Sequence, residues 1–349
     1  MKGESVRAIG VFVVGAAALM IIAIAGCADR QQSSAQAQNQ ESAAKAPRPP
    51  VQGLCGPPDV PSGDLAHRPG YRQFAVSVTN ASGLPVSGLK QADFVVSEES
   101  QKLPIDYFRE RAPVAIALLV DTSGSMEPKL AMVKLRLGNL VENLNRCDEV
   151  MLFGFSTKPD LVQSFTTDHQ MVATQMEGLH AYGQTALYDV TNAALQSLED
   201  ADYPNRTIIL ITDGMDNTST ATREEVAAQA RKHGVPIYSI GIGDPTEPEG
   251  GVSVAIGPFT MGDDTGRVDA ESLKAFSAAA GGRTFIVPGT AADAGNGFMT
   301  ALSVIADTIA RGYSIGVVIP ENETLSAVKL TIQNRPDLVV QTHLITANP

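Results

Sequence analysis

APVAIALLVDTSGS, residues 112–125, runs from unbroken apolar sequence into an acid and two hydroxyls. Residues 114–120 are short and continuously apolar, the pattern of a strand buried on both faces. Asp121 stands at the carboxyl end of that strand, and Ser123 and Ser125 follow on a turn that Gly124 eases. In an open α/β sheet, ligands bind at this edge. One carboxylate and two alternate hydroxyls suit a hard divalent cation, which takes oxygen ligands. The same residues also make an ordinary N-cap for a following helix, so other loops at that edge must decide.

Downstream, strand and helix patterns alternate. Residues 128–146 carry Leu130, Val133, Leu137, Leu140, Val141 and Leu144, spaced for one helical face. Residues 150–155 read as a strand and 161–165 as an edge strand. Helices are expected at 168–178 and 186–199, with the loop 180–185 between them. RTIILIT, residues 206–212, is a second strongly apolar strand and ends at Asp213-Gly214. A helix at 222–233, a strand at 236–241, and helix, strand and helix at 270–280, 283–287 and 291–311 complete the series. The expected class is α/β, a doubly wound and mostly parallel sheet covered on both faces.

The flanks differ. Residues 74–78, 93–98 and 105–108 before the series, and 313–319, 327–333 and 338–345 after it, read as strands. Neither group alone makes a stable β-domain. The expectation is a small discontinuous β-sandwich from 70–110 plus 312–346, with the α/β domain, 111–311, inserted between.

The start of the chain reads as an address. Lys2 and Arg7 precede an apolar run, residues 8–25, that ends in IAGC at 24–27. A charged start, an apolar middle and small residues before a cleavage point make an export signal. Residues 1–27 resemble a lipoprotein signal whose lipobox Cys27 becomes the lipidated first residue; the alternative is an uncleaved single span. Residues 28–69, rich in Ala, Gln, Ser and then Pro, have the composition of a disordered tether. The folded part is expected in the cell envelope, lipid-anchored and facing periplasm or exterior, where disulfides are permitted. Cys55 and Cys147 can pair there, and the sequence leaves that open. The formal charge of −12 repels phosphate backbones, which argues against nucleic acid as a partner.

Three loops converge on one edge. Asp121, Ser123 and Ser125 follow the first apolar strand, Asp213 follows the second, and Thr185, in GQTALYD at 183–189, precedes a helix starting on the same side. DTSGS, GQTALYD and ITDG together resemble the von Willebrand factor A (VWA) domain with its metal-ion-dependent adhesion site, over about residues 110–312. The flanks, FAVSVTNASGLPVSGLKQADFVVSE and RPDLVVQTHLI, resemble VWA-related envelope proteins abundant in acidobacteria. The family pattern of one Asp and two Ser, then Thr, then Asp is met in full. It implies a Rossmann-like fold, direct ligation by Ser123, Ser125 and Thr185, and one or both Asp acting through water. Mg²⁺ is the implied cofactor, with Mn²⁺ or Ca²⁺ as alternatives. Two carboxylates against a doubly charged ion make the site roughly neutral and leave a position open. A partner's Asp or Glu can complete it.

The segment 244–267 should leave from the same rim and carries Glu247, Glu249, Asp263 and Asp264. Long structureless loops are often functional: this one sets partner specificity, plugs the metal with its own carboxylate, or is a solvated flap. An enzymatic reading would pair Ser123 or Ser125 with His180 and Asp213. The hydroxyls are already claimed by the cation, and GxSxG, HExxH and P-loop patterns are missing, so the chain is read as a non-enzyme. Two functions stay open: a metal-dependent binding module on a lipid-anchored tether, and a structural component of an envelope complex whose metal only orders the loops.

Overall fold

The structure is a computed structural model that describes residues 65, 67–98, 101–243, 254–256, 259–261, 268–288, 291–319 and 328–345. The chain divides into two units, Met1–Gln52 and Gly53–Pro349, and every described residue belongs to the second. Cys27, Glu247, Glu249, Asp263 and Asp264, with most of the expected tether, lie outside the described residues. Among the described residues no helix is long and apolar enough to cross a membrane.

Four strands come first: β1 (Tyr71–Thr79), β2 (Phe94–Glu98), β3 (Gln101–Leu103) and β4 (Tyr107–Glu110). The α/β region follows with β5 (Ala115–Asp121), α1 (Glu127–Glu142), β6 (Glu149–Phe155), β7 (Pro159–Thr166), α2 (His169–Glu177), α3 (Leu187–Ser197), β8 (Arg206–Thr212), α4 (Arg223–His233) and β9 (Ile237–Ile242). It continues through β10 (Val254–Ile256), β11 (Phe259–Met261), α5 (Ala270–Ala280), β12 (Gly282–Val287) and α6 (Ala291–Ala310). The chain then forms β13 (Tyr313–Val318), β14 (Val328–Ile332) and β15 (Val339–Ile345).

Six strands make the central sheet in the order β12-β9-β8-β5-β6-β7. All neighbours are parallel except β6 and β7. Every residue of β5 is buried, and alternate side chains serve two cores. Ile116, Leu118 and Val120 pack with α1, α2 and α6 through Val133, Leu137, Val172, Phe298 and Ile305. Ala115, Ala117 and Leu119 pack with α3, α4 and α5 through Val190, Val226, Leu273 and Phe276. The connection after β5 therefore covers one face and the connection after β8 covers the other. The two connections diverge at the carboxyl ends of β5 and β8, where the strand order reverses, the place at which open α/β sheets bind ligands.

The flanking strands form two antiparallel sheets, β15-β1-β13-β4 and β14-β2-β3. They share one core that includes Phe74, Val76, Phe94, Val96, Tyr313, Ile315, Val317, Leu330 and Ile332. The α/β region leaves from β4 and returns into β13, and these two strands pair directly, Glu110 opposite Tyr313. The Arg111 N–H donates to Gly312 at 2.9 Å, so entry and exit of the inserted domain are tied together.

Two expectations change. The helix read at 128–146 stops at Glu142, because a polar turn replaces its last residues. The Asp148 carboxylate accepts the N–H groups of Val114 (2.9 Å) and Asn145 (3.1 Å), and Asn145 accepts from the Cys147 N–H. Cys147, in that turn, is disulfide-bonded. The segment 244–267 is not structureless throughout, since β10 and β11 pair antiparallel, Val254 opposite Met261 and Ile256 opposite Phe259. VAIGPFTM, two short strand-forming triplets around Gly-Pro, carried that hairpin signal.

Candidate metal centre

Asp121 is the last residue of β5, and Thr212, the last of β8, stands beside it. The two are fully buried, and the Thr212 hydroxyl donates to Asp121 Oδ2 at 2.6 Å. The Ser123 N–H donates to Asp121 Oδ1 at 2.8 Å, so the turn after the strand closes on its own carboxylate. Burial pushes the Asp121 carboxyl up to about 6, against the lowering effect of the Thr212 and Ser123 hydrogen bonds. A carboxylate held out of water in this way gains from a cation placed against it.

The other ligand candidates lie next in line. The hydroxyls of Ser123 and Ser125 are 3.1 Å apart, and the Ser125 hydroxyl donates to Asp213 Oδ1 at 2.8 Å. The loop before α3 is fastened over them. The Tyr182 N–H donates to the Thr122 carbonyl (2.7 Å), Gly183 O accepts from the Gly124 N–H (3.1 Å), and the Ala186 N–H donates to the Ser156 carbonyl (2.7 Å). Gly183 has φ +72 and its Cα lies so close to the Thr157 hydroxyl that a Cβ would meet it at 2.6 Å; only glycine lets the loop pass. Thr185 is held by Asn217, whose side-chain oxygen accepts from the Thr185 N–H at 2.9 Å. Its own hydroxyl faces Gly214, where a Cβ would stand 3.2 Å away. The first and third loops are thus linked through Ser125 and Asp213, and Thr185 reaches them across Gly214.

Sequence reasoning missed Lys129. Its Nζ lies 2.6 Å from Asp213 Oδ2, with the Asp213 side chain fully buried and that of Lys129 14% exposed. The expected near-neutral site of two carboxylates against one divalent ion therefore needs correcting, because a resident ammonium already offsets one of them. The signal was present. Lys129 occupies the first turn of α1, four residues after Ser125, where the helix dipole disfavours a cation unless an anion stands beside it. Thr212, also missed, was visible as a hydroxyl directly after the apolar run Ile208–Ile211.

Among the described residues, no group of three or more His, Cys, Asp and Glu side chains gathers as a metal site. Cation binding at this edge has to lean on the three hydroxyls, which suits hard, hydrated ions and not thiolate- or imidazole-seeking ones. His180 is exposed, and the Ser125 hydroxyl donates to Asp213. The rim also carries two large exposed apolar side chains, Tyr182 (55% exposed) and Met215 (42%).

Residues 115–288 match the von Willebrand factor type A domain, a span that opens with β5 and closes just after β12. A VWA domain is present. An uncharacterized protein of Borreliella burgdorferi is 27% identical over 143 residues, 40% of this chain and 42% of its own length. The chain thus spans well under half of that relative. Among solved structures, the conserved hypothetical protein BatB of Bacteroides thetaiotaomicron is 22% identical, with 55% of this chain and 98% of that one covered and a TM-score of 0.41. A von Willebrand factor type A protein from Catenulispora acidiphila is 14% identical over 80% of this chain and 74% of its own, with a TM-score of 0.42. The vWF domain of the pilus tip protein Mfa5 from Porphyromonas gingivalis is 12% identical over 56% and 95%, with a TM-score of 0.41.

Proposed function

We propose that the VWA domain is a metal-dependent binding module, carried on an exported, lipid-anchored tether, that recognises an acidic residue of a protein or matrix partner. One observation carries the reading: the Ser123, Ser125 and Asp213 side chains form one hydrogen-bonded chain beside Asp121 and Thr185, at the adjacent carboxyl ends of β5 and β8. The donor set fits Mg²⁺, with Mn²⁺ and Ca²⁺ as alternatives. Asp121 and Asp213 supply charge, Ser123, Ser125 and Thr185 supply neutral oxygens, and Gly214 leaves room against the Thr185 hydroxyl. A cation held there would supply Lewis acidity toward a partner's carboxylate. The protein's own residues frame the site. Thr212 and the Ser123 N–H hold Asp121, while Tyr182 and Met215 offer apolar surface to the residues flanking the partner's acid. Anchoring through Cys27 belongs to the same reading, and a disulfide at Cys147 suits an oxidising envelope.

Melting with Mg²⁺ against EDTA tests the metal. A ligand bound only to the folded state at a hundredfold excess over Kd stabilises by about 2.7 kcal/mol, and the upward shift should vanish in Ser123→Ala. Capture of partners from envelope extract should fail with chelator and with Asp121→Ala, and weaken with Tyr182→Ser, which leaves the metal-induced shift intact. Capture that survives chelator and Asp121→Ala while the metal shift is present would favour the structural-component reading.

A further inference from the structure

Lys129 stands where the electrostatics of the site turn. Each of the four carboxylate oxygens at the centre already holds a donor: Asp121 Oδ1 the Ser123 N–H, Asp121 Oδ2 the Thr212 hydroxyl, Asp213 Oδ1 the Ser125 hydroxyl and Asp213 Oδ2 the Lys129 ammonium. Three of these donors are neutral and belong to the loop framework. The fourth carries a full charge on a flexible four-carbon stem, and it projects from the first turn of α1, where Glu127 and Pro128 beside it are exposed. The helix N-terminus repels it, so Asp213 is what keeps it there.

We propose that Lys129 is a tethered counter-ion that competes with the divalent cation for Asp213. The inference rests on the metal-binding reading above and concerns how that site is regulated. Without metal, Lys129 neutralises a fully buried carboxylate that would otherwise stand uncompensated. The Lys129 ammonium, 2.6 Å from Asp213, would repel a divalent ion held beside that carboxylate, in a site where water screens poorly, so Lys129 would have to withdraw along its stem for the site to fill. Lys129 therefore sets metal affinity below what the five oxygens alone would give. A partner's carboxylate, by adding negative charge to the same centre, tips the balance toward the loaded state, so metal capture and partner capture are coupled.

The test is calorimetric titration of the full chain with Mg²⁺ alone, for the wild type, Lys129→Met and Lys129→Arg, with melting of the same proteins in EDTA. Removing the charge should tighten Mg²⁺ binding by about tenfold or more, enlarge the Mg²⁺-induced melting shift, and lower the melting point in EDTA. Lys129→Arg, which keeps the charge, should stay near the wild type in affinity. Lys129→Gln, neutral but able to keep a hydrogen bond to Asp213, should tighten binding as well and serves if the methionine variant fails to fold. Equal or weaker Mg²⁺ binding in the folded neutral variants, with the wild type binding normally, would overturn the proposal and make Lys129 a clamp that positions Asp213. If neither the wild type nor the neutral variants bind Mg²⁺ or Mn²⁺, the metal reading itself falls, and this one with it.

Discussion

Thr212→Val removes one oxygen and almost nothing else. The side chain is fully buried at the end of β8, and valine fills the same volume. Two hydrogen bonds go: the hydroxyl's donation to Asp121 Oδ2 at 2.6 Å and its acceptance of the Gly214 N–H at 3.2 Å. A bond to a charged group contributes about 1.5–3 kcal/mol and a neutral one about 0.5–1.5, so the loss should be about 2–4.5 kcal/mol in metal-free protein above neutral pH. For a domain of this size that lowers the melting point by about 5–15 °C. The pH dependence has a definite sign. Burial raises the folded-state value of Asp121 from 3.8 to about 6. The folded protein therefore binds the extra proton between those values, and stability from this group is present at low pH and lost as pH rises through about 6. Removing the donor that lowers the value pushes it further up, so the deficit of the variant should widen from pH 5 to pH 8. Thermal unfolding in EDTA at both pH values, followed by circular dichroism, measures it. A deficit under about 0.5 kcal/mol, too small for any buried charged hydrogen bond, or one that grows as pH falls, would refute the reasoning.

Two further outcomes separate site from scaffold. Leu137→Ala empties space between α1 and the sheet, where Leu137 is fully buried. It should cost about 2–5 kcal/mol in urea titrations and leave Mg²⁺ affinity per folded molecule unchanged; a matching loss of affinity would mean the core and loops are coupled. Gly214→Ala places a methyl 3.2 Å from the Thr185 hydroxyl. Stability in EDTA should move by less than about 1 kcal/mol while the Mg²⁺-induced melting shift shrinks markedly, and an unaltered shift would remove Thr185 from the ligand set.

The sheet was legible because its strands advertise themselves. β5 and β8 carry unbroken apolar runs in their centres, and burial on both faces leaves no other use for such sequence. Helix ends were legible where one side chain makes the cap. Thr222, with Glu225, boxes the start of α4, and Asp168 and Asp269 cap α2 and α5. The end of α1 was not, because Asp148 stops it from beyond the helix by accepting two N–H groups that apolar spacing does not register.

By itself the sequence determined the doubly wound order of elements and placed two acids and three hydroxyls at strand ends and loop starts, since period and residue type are local properties. Only the tertiary structure decided which strands are neighbours. β8 lies against β5 and not at an outer edge, and that adjacency brings Thr212 onto Asp121, and Asp213 onto Ser125 and Lys129. The charge state of DTSGS follows from it. Asp121 and Asp213 are 92 positions apart in sequence numbering, yet their electrostatics are those of one site, because Coulomb interaction depends on distance in space. Lys129, a first-turn lysine in the sequence, became the site's resident cation for the same reason.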